Sequence, residues 1–480
     1  MEHTQREQPE ENWLGRRFEV LVGPVAHGGH CVARHQGRVV FLRHALPGET
    51  VLAEVTEDRG GSFCRADAVE IRQASPDRVT PPCPYAHPGG CGGCDFQHAA
   101  LPAQRALKAA VVAEQLSRLA GLDREVTVQP LDGAEDGLGW RRRVRFAVGP
   151  AGELGLHAHR SHTVVPVSRC PIGAPGVGDA TALQRDWPGL AELEVAVDDA
   201  GEVVEVGYRP AGRRGATGRG AGGRGAGGRG AANRSRAARP VLTAEQLSGP
   251  PRLRYTVAGR RFEVSPAGFW QTHPRAAEVF TRTVLAAADP RPGERVLDLY
   301  AGAGLFTAAL AEAVTGTGRV LGLESDRTAV ADAAGALAGL PWAAVHRATV
   351  AADSIAVAAR ELGGEPDIVV LDPPRSGAGR AVLAAILSGG PRVVVYVACD
   401  PAALARDIRF ARDAGWQLAE LSAFDAFPMT HHVECIAVLR PDRAPVDTPD
   451  QPAGEAVDIT RSGAGRPADG SSENGTVQVG

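Results

Sequence analysis

Hydrophobic and polar positions alternate with period two from Arg17 to about Arg78, through FEVLVGPVAHGGHCVARHQGRVVFLRHALPGETVLAEVTEDRGG and on to VEIRQASPDR. Gly and Pro punctuate that stretch about every eight to twelve residues, which predicts a small β-barrel. Then the period changes. LPAQRALKAAVVAEQLSRLAGL carries apolar residues at helical spacing, and GWRRRVRFAVGPAGELGLHAHRSHTVVPVSRCPI reads as two or three strands ending at Cys170. From about Phe262 to Arg440, helical stretches alternate with the apolar runs RVLDLY, RVLGLE, DIVVLDPP and RVVVYVAC. Such alternation predicts a largely parallel sheet with helices on both faces and a ligand across the carboxyl ends of its strands.

These periods divide the 480 residues into a disordered start (1–16), a barrel (17–78), a central domain (79–261), an α/β domain (262–440) and a disordered tail (441–480). Within the central domain, 211–240 is a Gly/Arg/Ala segment whose Arg214, Arg219, Arg224, Arg229 and Arg234 recur at a fixed interval. Neither it nor the tail can bury a core, so both are expected to be disordered, the first as an insertion in a loop between two strands.

The net charge of −4 hides unlike regions: the tail carries seven acids and three arginines, the insertion eight arginines and no acid. Affinity for a nucleic acid must therefore come from local basic faces, not from net charge. Arg141, Arg142, Arg143 and Arg145 form one such stripe, which could equally be a solvated strand face. Lys108 is the only lysine in an Arg-rich chain. No apolar run is long enough to span a bilayer and the first residues lack a signal-peptide centre, so the protein is expected to be cytoplasmic with no membrane partner.

Eight cysteines in a cytosolic enzyme favour metal or catalytic use over disulfides. Cys83, Cys91 and Cys94 are spaced C-x7-C-x2-C, with Cys170 a distant fourth. Four thiolates can hold a 4Fe-4S cluster or a zinc ion, and spacing alone leaves that choice open. His87 is adjacent without a necessary role. Cys31, Cys64 and Cys435 sit in apolar strands and read as packing. Cys399 differs, because CDPA follows a strand end directly and exposes its thiol at the expected ligand edge.

The strand end at VLDLYAGAGLFT brings Asp298, a turn at Gly302 and Gly304, and then Glu324 at the end of the next strand, where an acid can grip ribose hydroxyls. Phe306 and Thr307 replace the third glycine of a dinucleotide fingerprint, which favours S-adenosylmethionine over NAD. DIVVLDPPRSG aims Asp372 from a rigid turn at a planar base or the cofactor. With Cys399 and Glu434, in DAFPMTHHVEC, the parts are those of a covalent methyltransferase.

Together the motifs from about Arg17 to Arg440 resemble the RNA uracil-5 methyltransferase family, closest to its ribosomal branch, and GGHCVARHQGRVVFLRHALPGE resembles a TRAM domain. The resemblance implies a multidomain fold: an N-terminal OB-like β-barrel (TRAM) associated with RNA, a central α/β iron–sulfur domain and a C-terminal α/β Rossmann-like methyltransferase domain. It implies a 4Fe-4S cluster on Cys83, Cys91, Cys94 and Cys170. Gln271, Tyr300, Glu324 and Asp372 would line the S-adenosylmethionine site with Asp298, Gly302 and Gly304. The target uridine would be flipped out of an RNA loop, with ribosomal RNA favoured and tRNA possible. His273, Asp400 and Leu305 stand where asparagine is common in the family, and the first cluster spacing is longer than usual.

The thiol has a chemical reason. Carbon 5 of uracil is a poor nucleophile, and thiolate addition at carbon 6 makes it an enolate carbon able to attack a sulfonium methyl. A base must then remove the carbon-5 proton so that the thiol can leave. Cys399 and Glu434 suit those roles, and a monomer suffices. The alternatives are an RNA-binding protein with an inactive methyltransferase domain, or a radical methylthiotransferase, which would need a tight CxxxCxxC motif.

Overall fold

The computed structural model describes residues 12–211 and 241–442. The tail, nearly all of the 211–240 insertion and the first eleven residues lie outside the described residues. Disorder was expected through residue 16, but Trp13 is buried, donates its backbone N–H to Asp58 Oδ2 at 2.7 Å and carries the Arg38 guanidinium 4.4 Å above its ring. An indole with a cationic partner has reason to fold onto the barrel, which a polar-rich context concealed.

Six strands form the N-terminal sheet: β1 (Arg17–Leu21), β2 (Val25–Ala26), β3 (His30–His35), β4 (Arg38–Arg43), β5 (Thr50–Glu57) and β6 (Phe63–Gln73), in the order β1-β5-β6-β4-β3-β2. Their inward positions, among them Val40, Leu42, Val51 and Ala53, are fully buried. The sheet curls back on itself where Gly23 N donates to Val32 O at 2.8 Å. A Cβ at Gly23 would lie 2.6 Å from that oxygen, so only glycine allows the approach.

The helix α1 (Leu101–Gln115) and a short strand, β7 (Val128–Pro130), follow. The central sheet is antiparallel throughout: β8 (Arg143–Val148), β9 (Leu154–His157), β10 (Val164–Pro166), β11 (Glu192–Val197), β12 (Val203–Pro210) and β13 (Leu242–Ser248), in the order β10-β9-β8-β11-β12-β13. Register explains the arginine stripe. Arg145 lies directly opposite Glu194, Arg143 and Arg145 both bridge to Glu194, and Arg142 bridges to Asp199. Cross-strand acids thus neutralise much of the expected basic face.

After the hairpin β14 (Leu253–Val257) and β15 (Arg260–Val264), the chain runs α2 (Ala276–Ala288), β16 (Arg295–Leu299), α3 (Leu305–Val314), β17 (Arg319–Glu324), α4 (Arg327–Ala336) and β18 (Ala343–Arg347). It continues through α5 (Ala352–Leu362), β19 (Ile368–Leu371), α6 (Arg380–Ser388), β20 (Val393–Ala398), α7 (Pro401–Asp413), β21 (Trp416–Asp425) and β22 (Glu434–Pro441). The sheet order is β18-β17-β16-β19-β20-β22-β21-β7, parallel from β18 to β20. Val393, Val395 and Val397 enter one core, while Val394, Tyr396 and Ala398 enter the other. Both faces are apolar, so both must be covered by helices.

Two boundaries differ from expectation. Residue 262 falls inside the β14–β15 hairpin, whose Tyr255 and Phe262 belong to the same core as Phe280 of α2. β7, from the segment assigned to the central domain, is the outermost strand of the C-terminal sheet, and Val112 and Leu116 of the preceding helical segment share its core. Three residues are too short for a periodicity to reveal. Among the described residues no helix is long and apolar enough to cross a membrane.

Candidate active site

β20 ends at Ala398 and α7 begins at Pro401, leaving two residues to turn the chain. Asp400 caps the helix, accepting from Ala403 N at 2.8 Å, so Cys399 stands half-buried at the carboxyl edge of the sheet. β22 runs antiparallel to β20 with Cys435 opposite Ala398. The ladder ends at that pair, and the next residues on the two chains are Cys399 and Glu434, close enough for the Glu434 charge to act on the thiol. Cys435 itself is fully enclosed, and Cys31 and Cys64 are buried in the barrel core.

Burial pushes the Cys399 thiol up to about 12, with the charges of Glu434 and Asp372 adding to it, while the Arg375 guanidinium pulls the other way. Burial likewise raises the Glu434 carboxyl well above its ordinary value, Asp372 adding and Arg375 opposing. Burial, then the charge of Asp298, lifts Asp372 to about 7; Asp298 is lifted to about 7 by burial, with a small push from Glu324. Glu434, Asp372 and Asp298 thus gather near one edge of the sheet and resist simultaneous ionisation, an environment that favours a cationic ligand.

Gly302 and Gly304 turn in the left-handed region at φ +54° and +82°, as does Tyr300 at +63°. A Cβ at Gly302 would meet open space, leaving room for a ligand against the backbone. Gly302 N and Asp326 N grip the Glu324 carboxylate at 3.0 and 2.7 Å. Asp298 lies beneath the turn, accepting from Thr307 Oγ1 at 2.5 Å, where it ties α3 to β16. Gln271 sits half-buried in the β15–α2 loop beside Trp270, whose ring stacks 4.8 Å from Tyr255.

A cavity of about 150 Å³ opens onto Cys399, walled by Gly28, Lys108, Arg375, His431 and His432 among others. The barrel reaches it through His27, whose Nε2 lies 3.2 Å from Asp400 Oδ2. Sequence reading missed these residues. Arg375 stood in plain view after the two prolines, and Lys108 was marked only by being the sole lysine; the histidines carried no local signal.

The remaining cysteines also converge. Burial raises the thiols of Cys83, Cys91, Cys94 and Cys170, Cys91 to about 11, and each of the four interacts electrostatically with at least one other. Gly93 N donates to Cys91 Sγ at 3.3 Å, a bond that favours a thiolate. Among the described residues no three His, Cys, Asp or Glu side chains stand in metal-ligating geometry.

Residues 254–441 match the tRNA (Uracil-5-)-methyltransferase family and residues 13–69 the TRAM domain. An uncharacterized RNA methyltransferase of Streptomyces avermitilis is 45% identical over 441 residues, 89% of this chain and 99% of its own. The 23S rRNA (uracil(1939)-C(5))-methyltransferase RlmD of Alkalilimnicola ehrlichii is 33% identical over 88% of this chain and 96% of its own. The fold is that of Pyrococcus abyssi tRNA (uracil-54, C5)-methyltransferase, solved with S-adenosyl-L-homocysteine, at TM-score 0.61 and 21% identity over 88% of this chain and 100% of that one. By the extent and identity of these matches, the chain belongs to the S-adenosylmethionine-dependent RNA (uracil-5) methyltransferase family, with a TRAM domain at its N-terminal end.

Proposed function

We propose that this protein methylates carbon 5 of a uridine in ribosomal RNA through a covalent adduct on Cys399, with Glu434 as the base. The observation that carries the reading is the end of the β20–β22 ladder at Ala398 and Cys435: the next residues are Cys399, which opens onto the cavity, and Glu434, whose charge acts on that thiol. The name of the RlmD relative supports ribosomal RNA over tRNA.

The Cys399 sulfur, as thiolate, bonds to carbon 6 of the flipped uracil, and the electron pair moves to carbon 5 and oxygen 4. Arg375 is the cation placed to favour both the thiolate and an ionised Glu434. Gln271, Tyr300, Glu324 and Asp372 would hold S-adenosylmethionine across the Gly302–Gly304 turn, and when bound it would supply an electrophilic methyl group to the carbon-5 electron pair, its sulfonium carbon–sulfur bond breaking to leave S-adenosylhomocysteine. With that methyl on carbon 5, Glu434 takes the carbon-5 proton and the carbon–sulfur bond breaks, returning the thiolate. A carboxylate of raised proton affinity is suited to a weak carbon acid.

Cys83, Cys91, Cys94 and Cys170 would hold a 4Fe-4S cluster, which when bound would tie the 83–94 segment to the chain that follows β10. Broad visible absorption with matching iron and acid-labile sulfide in anaerobically purified protein, lost in Cys91→Ser, tests this. The activity is tested by nucleoside mass spectrometry on unmodified ribosomal RNA and tRNA transcripts with S-adenosylmethionine. Wild-type protein should form 5-methyluridine in ribosomal RNA and Cys399→Ala none; product from Cys399→Ala would sink the covalent route.

A further inference from the structure

The chain's only lysine is fully enclosed in the wall of the cavity that opens onto Cys399. Lys108 Nζ donates to Asp425 Oδ1 at 2.5 Å and to Phe427 O at 3.0 Å. One helical turn earlier, on the same face of α1, Gln104 accepts from Met429 N at 2.8 Å and donates to Met429 Sδ at 3.3 Å. Asp95 accepts from His431 Nδ1 at 2.5 Å, while Asp95 N and Phe96 N both donate to Met429 O at 3.0 Å. So Asp425, the last residue of β21, and then Phe427, Met429 and His431, alternate residues of the strap joining β21 to β22, are each held from the 95–108 segment. The strap ends at Val433, and the next residue is Glu434.

This arrangement is a poor stability device. A buried ion pair rarely outperforms apolar packing of the same volume, because both charges lose their hydration. Its advantage is direction: an ammonium fixed by one carboxylate and one carbonyl dictates where those oxygens sit. Met429 adds a second sign, since its φ of +68° is unfavourable for a side-chain-bearing residue and persists only where surrounding bonds hold it.

We propose that Lys108 is a positioning residue for the methyl transfer: with Gln104 and Asp95 it braces the strap so that Glu434 meets carbon 5 of the adduct formed on Cys399. The inference rests on the roles proposed above for Cys399 and Glu434. Misplacing the base leaves addition and methylation possible but stalls elimination, so the enzyme should become trapped on its RNA.

The test compares full-length wild type, Lys108→Met and Lys108→Arg on ordinary ribosomal RNA transcript, reading kcat, the denaturation-resistant protein–RNA complex on gels and affinity for S-adenosyl-L-homocysteine. Lys108→Met should lose about 10- to 100-fold in kcat, the scale of a base displaced by an ångström, while the gel-stable complex accumulates and homocysteine-product affinity stays within about twofold. Lys108→Arg should recover part of the loss. Wild-type turnover in Lys108→Met, or parallel loss of adduct, cofactor affinity and turnover in a folded protein, overturns the proposal. If Lys108→Met does not fold, Asp425→Asn keeps an oxygen acceptor without the charge and must show the same trapping, and ordinary turnover there is equally fatal. Wild type that forms neither 5-methyluridine nor an adduct on 5-fluorouridine RNA would instead refute the covalent reading itself.

Discussion

At the scale of single residues, the site is a contest between burial and charge. Burial pushes the Cys399 thiol up to about 12 and raises Glu434, yet the proposed mechanism uses both deprotonated. Raised pKa values of groups needed as bases move the rising limb of a rate profile to higher pH, so kcat/KM should climb between about pH 6 and 9 instead of levelling near neutrality. A pH-rate series with saturating cofactor checks this. Arg375 is the opposing cation, so Arg375→Leu should lower kcat/KM by about 10- to 100-fold and push that limb higher still, with cofactor affinity little changed. Much of this site was legible in the chain: Cys399 and Glu434 stand in short motifs bound to strand ends. Lys108, Asp95 and His431 were not, because they meet only after segments more than three hundred residues apart have packed together.

At the scale of elements, Asp400 has two tasks. It caps α7 through Ala403 N, and it faces His27 of the barrel, whose pKa its hydrogen bond raises. Arg406 opposes that rise and Glu114 aids it. Because the folded pKa of His27 is raised, the tie is complete below the ordinary histidine value and fades as pH rises through the higher one. Asp400→Asn keeps the cap but removes the charge, so the NMR titration of His27 should move to lower pH while thermal stability changes little. Asp400→Ala loses the cap as well and should cost about 1 kcal/mol of stability in denaturant melts. The strands themselves were readable from apolar runs such as RVVVYVAC, since a strand buried on both faces has no polar alternation. The sequence left the arginine stripe open between a basic face and a solvated strand face because its partner acids, Glu192 and Glu194, lie on a strand that sequence proximity does not bring near.

At the scale of the whole molecule, the order of modules was legible and their independence was not. The family match begins at residue 254, yet the catalytic sheet and its brace depend on α1 and β7. A fragment of residues 254–441 should therefore be insoluble or inactive, with β21 left as an exposed edge. Expression of that fragment beside one starting at residue 95 tests the point, the longer one being expected to bind S-adenosyl-L-homocysteine.

β7 also carries a consequence in time. Val128 pairs with Ala423, 295 residues later (423 − 128). At a synthesis rate of ~5–20 residues per second, the first of these strands leaves the ribosome roughly 15–60 s before its partner exists. During that wait the apolar face of α1 has no sheet to cover, and it is a surface that holding chaperones would recognise. Catalytic competence thus arrives only with the final strands of the sheet, and a nascent chain remains harmless to RNA until almost all of this fold has been made.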